Sequence, residues 1–259
     1  MDRRCLFVES DRVAEIRMDG PAVRIRAYHR SWQWFPLRRV SRVLCLGLSE
    51  ASVHVWIEVA SYGIPVLFVR PNGRILAQLS FPGATPAGLS HWMGAAMGDE
   101  EVRSAYELWL DNWLRHSYGL LGAISCDRHH AQLRAGALVA RLARQQGVTL
   151  SASLRKWCDT LVYSQILEQA IEAGLPSSGN AVSQLQNDLG HAGSVLAQAN
   201  ACRIMKPGKE TLDGVAFARL YEQQIEQDVQ TWLQRAFYSL KEALEQSALY
   251  GNRVPKACQ

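Results

Sequence analysis

Asp188 and His191 stand three residues apart in a stretch, Ser183–Ala201, that reads as a helix, so the two side chains fall on one face. An Asp-x-x-His pair can share a metal ion, with the carboxylate suited to a hard divalent cation. The same spacing equally suits a solvated aspartate and a surface histidine. Glu168 and Glu172 form a second acidic pair at i, i+4, an arrangement that ordinarily marks a solvated helix face. His129 and His130 are adjacent and therefore point about 100° apart around a helix, which is poor geometry for holding one ion together. Capping or solvent contact suits them better.

The basic residues make a second pattern. Arg134, Arg141 and Arg144, with Arg128 upstream, fall near one helical face, and Arg155 and Lys156 follow in the next segment. The helix that carries the first three contains no acid from Gln132 to Gln146. A positive stripe without acids repels itself unless something negative visits it, and such a stripe can follow a phosphate backbone. A solvated face is the alternative. Net charge is +4, which is compatible with nucleic acid without demanding it. Arginine dominates the positive charge, and its guanidinium suits phosphate clamping. No phosphate-cradling GxxxxGK[ST] loop, GxSxG elbow or HExxH helix occurs, so nucleotide hydrolysis, serine-hydrolase and zincin chemistry have no support. Six scattered cysteines show no CxxC or His/Cys cluster, which argues against zinc and for free thiols in a reducing compartment. No charged-then-apolar leader and no apolar run long enough for a membrane span is present, so a soluble cytoplasmic protein is expected.

The elements that must position these residues divide into two kinds. Cys5–Glu9, Ala14–Met18 and Ala22–Ala27 read as strands, the last two flanking the turn Asp19-Gly20-Pro21. Trp32, Trp34 and Phe35 follow, an aromatic cluster that suits core or dimer contact better than base stacking. Val40–Leu46 is a strand, and Ser49–Tyr62 is an amphipathic helix with Val53, Trp56, Ile57 and Ala60 on its apolar face and Gly63 ending it. Ile64–Val69 and Arg74–Leu79 form a hairpin around Pro71-Asn72-Gly73. A crossover helix between strands predicts a parallel, right-handed pairing. Phe81–Gly98 has no charge and is rich in Gly, Pro and Ala, as a linker would be. From Asp99 onward only helices are predicted: Asp99–Ser125, Arg128–Gln146, Ser151–Ala173, Ser183–Ala201, and one long or two joined helices over Asp213–Leu249. The expected fold class is α+β. It comprises a small β-rich dimerisation domain (1–80), a linker (81–98) and a larger all-helical C-terminal domain (99–259).

Within this layout, Phe35-Pro36-Leu37-Arg38-Arg39-Val40-Ser41-Arg42-Val43-Leu44-Cys45-Leu46-Gly47, then Gly63-Ile64-Pro65-Val66-Leu67-Phe68 and Asn72-Gly73-Arg74, resemble the N-terminal β-domain of the CRISPR-associated adaptation integrase family. These enzymes insert new spacers into CRISPR arrays in antiviral defence. The resemblance covers about the first third of the chain and implies a homodimer through paired β-domains, DNA substrates, and a helical domain holding a divalent metal between a glutamate, a histidine and an aspartate. Leu185-Gln186-Asn187-Asp188-Leu189 is similar to the family's aspartate motif, so the resemblance makes Asp188 the counterpart of that ligand. Gly174-Leu175-Pro176 and Gly179 loosely match the loop before the family histidine, but its expected position is Val182. The glutamate context, Asp127–Gly136, contains no glutamate. His191 replaces the histidine only if a second acid joins it.

The resemblance therefore implies a shortened, degenerate member: a DNA-binding homodimer whose metal-binding catalytic site is lost, with Asp188 and His191 as the residual catalytic and metal candidates. No cofactor is then expected. Arg128, Arg134, Arg141, Arg144, Arg155 and Lys156 are the expected DNA contacts, and a second adaptation protein is a possible partner by the same resemblance. The alternatives are an active endonuclease or integrase with an altered site, which would need Mg²⁺ or Mn²⁺, and a protein-interaction scaffold.

Overall fold

A computed structural model of the protein describes residues 3–47, 52–81, 89, 93, 99–123, 125, 127–175, 180–205 and 213–251. Strands β1 (Arg4–Glu9), β2 (Val13–Met18), β3 (Ala22–Ala27), β4 (Gln33–Pro36) and β5 (Val40–Leu46) lead to helix α1 (Val53–Ser61), then to β6 (Val66–Val69) and β7 (Ile75–Leu79). The helices that follow are α2 (Glu100–Leu120), α3 (Arg128–Gln145), α4 (Ala152–Glu172), α5 (Asn180–Ile204), α6 (Gly214–Gln224) and α7 (Glu226–Gly251). This is the α+β class, with a small β region first and a larger helical region after it.

The strands make a four-stranded sheet in the order β1-β5-β6-β7 and a three-stranded antiparallel sheet in the order β2-β3-β4. The crossover through α1 sets β5 and β6 parallel, as a right-handed βαβ unit requires, and β7 returns antiparallel through the Asn-Gly turn. Strands β5 and β6 are buried on both sides, and the alternation sorts their apolar residues between two cores. Val43, Cys45, Val66 and Phe68 face a cluster formed with α1 and the three-stranded sheet, whereas Leu44, Leu67 and Val69 enter the larger core of the helices. The β region and the helices thus share one continuous apolar layer.

Several boundaries follow from caps. Asp99 accepts from the Glu101 and Val102 amides, Ser151 from Leu154 and Asp213 from Ala216, each opening a helix where the sequence places a start. The stretch Asp213–Leu249, expected as one long or two joined helices, is two helices that meet at Ile225. The apolar face of α1 differs from the expected one: Val55, Trp56, Val59 and Ala60 are buried and Ile57 is 44% exposed, because the helix lies between the sheets with its 55/59 and 56/60 rows inward. Of the aromatic cluster expected in core or dimer contact, Phe35 packs against the core of the β region, whereas Trp34 does not enter it. Trp34 sits on β4 opposite Arg24, on the outer face of the three-stranded sheet, and is 54% exposed. Of the predicted linker, Leu89 and Met93 are described and are buried in the helical core. Cys5, Cys45, Cys158 and Cys202 are free thiols, and Cys126, Cys258, Pro176 and Gly179 lie outside the described residues.

The hairpin between β6 and β7 fixes the sheet to the helices. Gly73 has a φ of +83°, and a Cβ added there would lie 2.8 Å from the Trp157 backbone nitrogen, so glycine is required by both conformation and space. The Trp157 indole N–H donates to the Pro71 carbonyl at 3.0 Å, and the Thr160 hydroxyl donates to the Gly73 carbonyl.

Candidate nucleic-acid interface

Helix α3 opens at Asp127, whose carboxylate accepts from the His129 amide at 2.8 Å and meets the His130 ring at 2.7 Å. Those contacts, the amide first, hold the Asp127 carboxyl below its ordinary pKa. The two histidines therefore serve the helix start, as their adjacency suggests. Ala131, Ala135, Val139 and Ala143 form the buried seam of α3, and small residues there let α5 and α2 approach closely. The other side is exposed and carries Arg134, Arg141 and Arg144. These three guanidiniums line one groove of about 390 Å³ together with Gly122, Ala137 and Leu138. Arg144 Nε donates back to the Ala140 carbonyl at 3.4 Å, which lays its side chain along the helix. Among the described residues, no carboxylate forms an ion pair with Arg141 or Arg144. The groove is thus a positively charged trough on a rigid helix, able to receive successive anionic groups.

The remaining predicted contacts lie elsewhere. Arg155 is exposed near the start of α4 and donates to the Leu150 carbonyl at 3.2 Å, and Lys156 is exposed with its ammonium 3.9 Å from Asp159. Neither lines the groove. Arg128 is exposed in the first turn of α3, and its charge acts on Tyr106 and Tyr118 of α2.

Asp188 is half-buried on α5, and its Oδ2 accepts from the hydroxyl of the buried Tyr106 at 2.6 Å. Burial first, and then this carboxylate, raise the Tyr106 pKa, so the phenol remains a donor. His191, one turn on, contacts the Tyr118 ring edge-on with centroids 6.4 Å apart. Partial burial draws its pKa below the ordinary value, against the opposing pull of Asp159. Burial likewise pushes the Tyr118 phenol up to about 12. The structure thus ties Asp188 to Tyr106 and sets His191 against Tyr118, both tyrosines of α2. Val182, at the expected histidine position, is 1% exposed within the helical core.

The acidic pair on α4 is split, with Glu172 exposed as expected and Glu168 inside. Glu168 is buried and accepts from Arg42 Nη1 at 2.5 Å, while Arg42 Nη2 reaches Glu226 at the start of α7. Glu172 borders a polar cleft of about 830 Å³ that also includes Glu222, Arg3 and Arg4. Desolvation, followed by the neighbouring Glu168, raises the Glu172 pKa. Arg42 is the residue that sequence reasoning missed. An arginine at the centre of the apolar strand Val40–Leu46 was the available signal, since a buried charge must be paired.

This arrangement of sheet, crossover and helices is found in proteins of known structure. Over 92% of this chain and 97% of the other, it is similar to a CAS1 protein from Thermotoga maritima, with a TM-score of 0.60 and 10% identity. The fold is that of the Cas1 and casposase integrases. A casposase bound to integration product gives a TM-score of 0.63 at 11% identity, over 95% of this chain and 91% of that one. TtCas1 in complex with DNA gives 0.53 at 14% identity, over 98% and 94% of the two chains. No protein-family model and no curated protein matches the sequence. At these identities the likeness to Cas1 is one of fold, and the residues of this chain must carry any argument about chemistry.

Proposed function

We propose that the protein is a DNA-binding homodimer with a Cas1-like integrase fold whose metal-dependent catalytic site is lost. The observation that carries the DNA reading is the groove on α3, where Arg134, Arg141 and Arg144 converge on a helix without acids. The proteins of the same fold that were solved with DNA or with an integration product add support. Arg128, Arg155 and Lys156 extend the contact beyond the groove. The β region supplies the dimer contact: β4 is an edge strand with no partner on its outer side among the described residues, a template for pairing with a second copy. A second adaptation protein as partner and a cytoplasmic location complete the proposal. No helix among the described residues is long and apolar enough to cross a membrane.

The residues present do not fit a divalent metal. Asp188 already accepts from Tyr106, the seam of α3 that faces α5 is alanine and valine, and Val182 is in the core. Among the described residues, no three His, Cys, Asp or Glu side chains gather in a geometry that could hold an ion. One carboxylate with one imidazole holds Mg²⁺ weakly, because the ion gives up its water reluctantly.

The test uses branched DNA and integration substrates, first for binding and then for products in Mg²⁺ and Mn²⁺. Binding without nicking or strand transfer is expected. Metal-dependent products that vanish in Asp188→Ala establish instead an active enzyme with Asp188 and His191 in its site. Failure to bind any DNA leaves the scaffold reading. Light scattering should give twice 28.9 kDa, and a monomer at micromolar concentration removes the homodimer.

A further inference from the structure

The outer face of the three-stranded sheet carries an ordered array of arginine and tryptophan. The register places Arg17 opposite Arg24 and Arg24 opposite Trp34, so these three form one row across β2, β3 and β4. Arg26 lies on the same face, opposite Glu15. The other face holds the buried Ile16, Val23 and Ile25. The Arg24 guanidinium sits 4.4 Å from the Trp34 ring centroid and 4.7 Å from that of Trp32. Arg17 and Arg26 approach the Trp32 ring at 4.7 and 5.2 Å. Two carboxylates balance part of the charge: Glu15 pairs with Arg17 and Arg26, and Asp19 accepts from Arg24 at 3.3 Å and from the Trp34 indole at 3.2 Å. The array keeps an excess of positive charge, and Arg24 Nε has no hydrogen-bond partner among the described residues.

We propose that this face is a stacking platform for single-stranded nucleic acid, with an unpaired base laid on the exposed Trp34 and neighbouring phosphates on Arg17, Arg24 and Arg26, which Trp32 holds in place. An indole offers a π-face that any base can use, and guanidiniums already docked on the rings lose little freedom when a phosphate arrives. Unpaired bases are needed because a duplex hides its base faces inside the stack. A second copy of the chain is a poor occupant. An isologous contact would lay this arginine row on its own image and set like charges together. Pairing through the outer edge of β4 leaves the face open and joins two platforms into one surface. The platform is separate from the α3 groove and stands independently of it.

The experiment uses the full-length Arg141→Glu/Arg144→Glu variant, which disables the groove, and a dye-labelled oligothymidylate of about a dozen nucleotides, a length within the usual site size. Anisotropy should show binding that unlabelled duplex of equal length does not displace. Adding Trp34→Ala should weaken it about tenfold or more, and Trp34→Phe should retain most of it. The exposure of Trp34 means that neither change disturbs the core. The proposal is overturned if the oligothymidylate does not bind in the groove-disabled background, if Trp34→Ala leaves its affinity unchanged, or if duplex displaces it equally well. It is also overturned if Trp34→Ala converts a dimer to a monomer in light scattering, which would make the face a protein contact.

Discussion

Arg42 is 2% exposed on β5 and meets carboxylates from α4 and α7, whereas Arg141 and Arg144 lie exposed on a helix that holds no acid. The same side chain answers opposite problems in the two places. Inside, desolvation makes an unpaired guanidinium prohibitive, so the fold delivers its counter-charges from sequence positions far away. Outside, water tolerates the charge, and the missing counter-charge is left for a ligand to bring. A buried arginine whose partners are built in is structural, and an exposed one on a helix without acids is a candidate contact. Substitution should therefore separate the two regions, with stability failing in one and binding in the other.

The largest effect is expected at the buried triad. Arg42→Leu leaves Glu168 and Glu226 without their shared cation and should cost about 3–5 kcal/mol in chemical denaturation. DNA affinity of the fraction that remains folded should be unchanged. If Arg42→Leu abolished DNA affinity while keeping its stability, the assignment of roles would be reversed.

Next comes the hairpin clamp. Gly73→Ala must accept a φ of +83° and place a methyl 2.8 Å from the Trp157 backbone, at a cost of about 1–3 kcal/mol. Thermal melting checks it, and a neutral result would mean that the hairpin is not seated on α4. Gly63→Ala is the control. Its φ is +77°, yet nothing lies within 4 Å of the added methyl, so only the conformational part of the cost should appear.

On the exposed side the expected change moves from stability to binding. Arg141→Glu with Arg144→Glu should shift stability by no more than about 0.5 kcal/mol, as surface changes do. DNA affinity should fall, and the slope of log affinity against log salt should flatten by about 0.9 for each phosphate that is no longer neutralised. Unchanged binding would place the DNA away from α3.

The contrast also explains what the sequence could disclose. The strands other than β4, the crossover, the Asn-Gly turn and the capped helices rest on local pattern, and residues such as Gly63, Gly73, Asp99 and Ser151 announce them; β4, four residues long, was hidden in the aromatic cluster. The arginine row on α3 was legible for the same reason, because its spacing and its lack of acids sit within one helix. Arg42 was not, since Glu168 and Glu226 are brought to it only by packing of three elements. The burial of Glu168 was misjudged for want of that partner, and Ile57 because the inward face of α1 depends on where two sheets lie. The hydrogen bond from Tyr106 to Asp188 likewise joins helices distant in sequence, so the spacing of Asp188 and His191 could suggest a metal pair without revealing that the carboxylate is engaged.

The smallest expected effect lies at the rim of the buried triad. Glu222 lines the polar cleft beside Glu226, and its pKa is raised, first by desolvation and then by that neighbouring carboxylate, with Arg42 and Arg4 pulling the other way. A carboxyl raised above its unfolded value binds its proton more tightly when folded, so its ionisation opposes folding. The penalty is complete above the folded pKa. It shrinks as pH falls through that value and is gone below the unfolded pKa, near 4.3 for glutamate. Glu222→Gln should therefore raise the melting temperature at pH 7, on the order of one degree. The two melting curves should converge as the pH is lowered toward the unfolded pKa. A variant that was less stable at pH 7 would show that Glu222 belongs to the Arg42 network as a paired charge, and the division between built-in and awaited counter-charges would have to be redrawn around it.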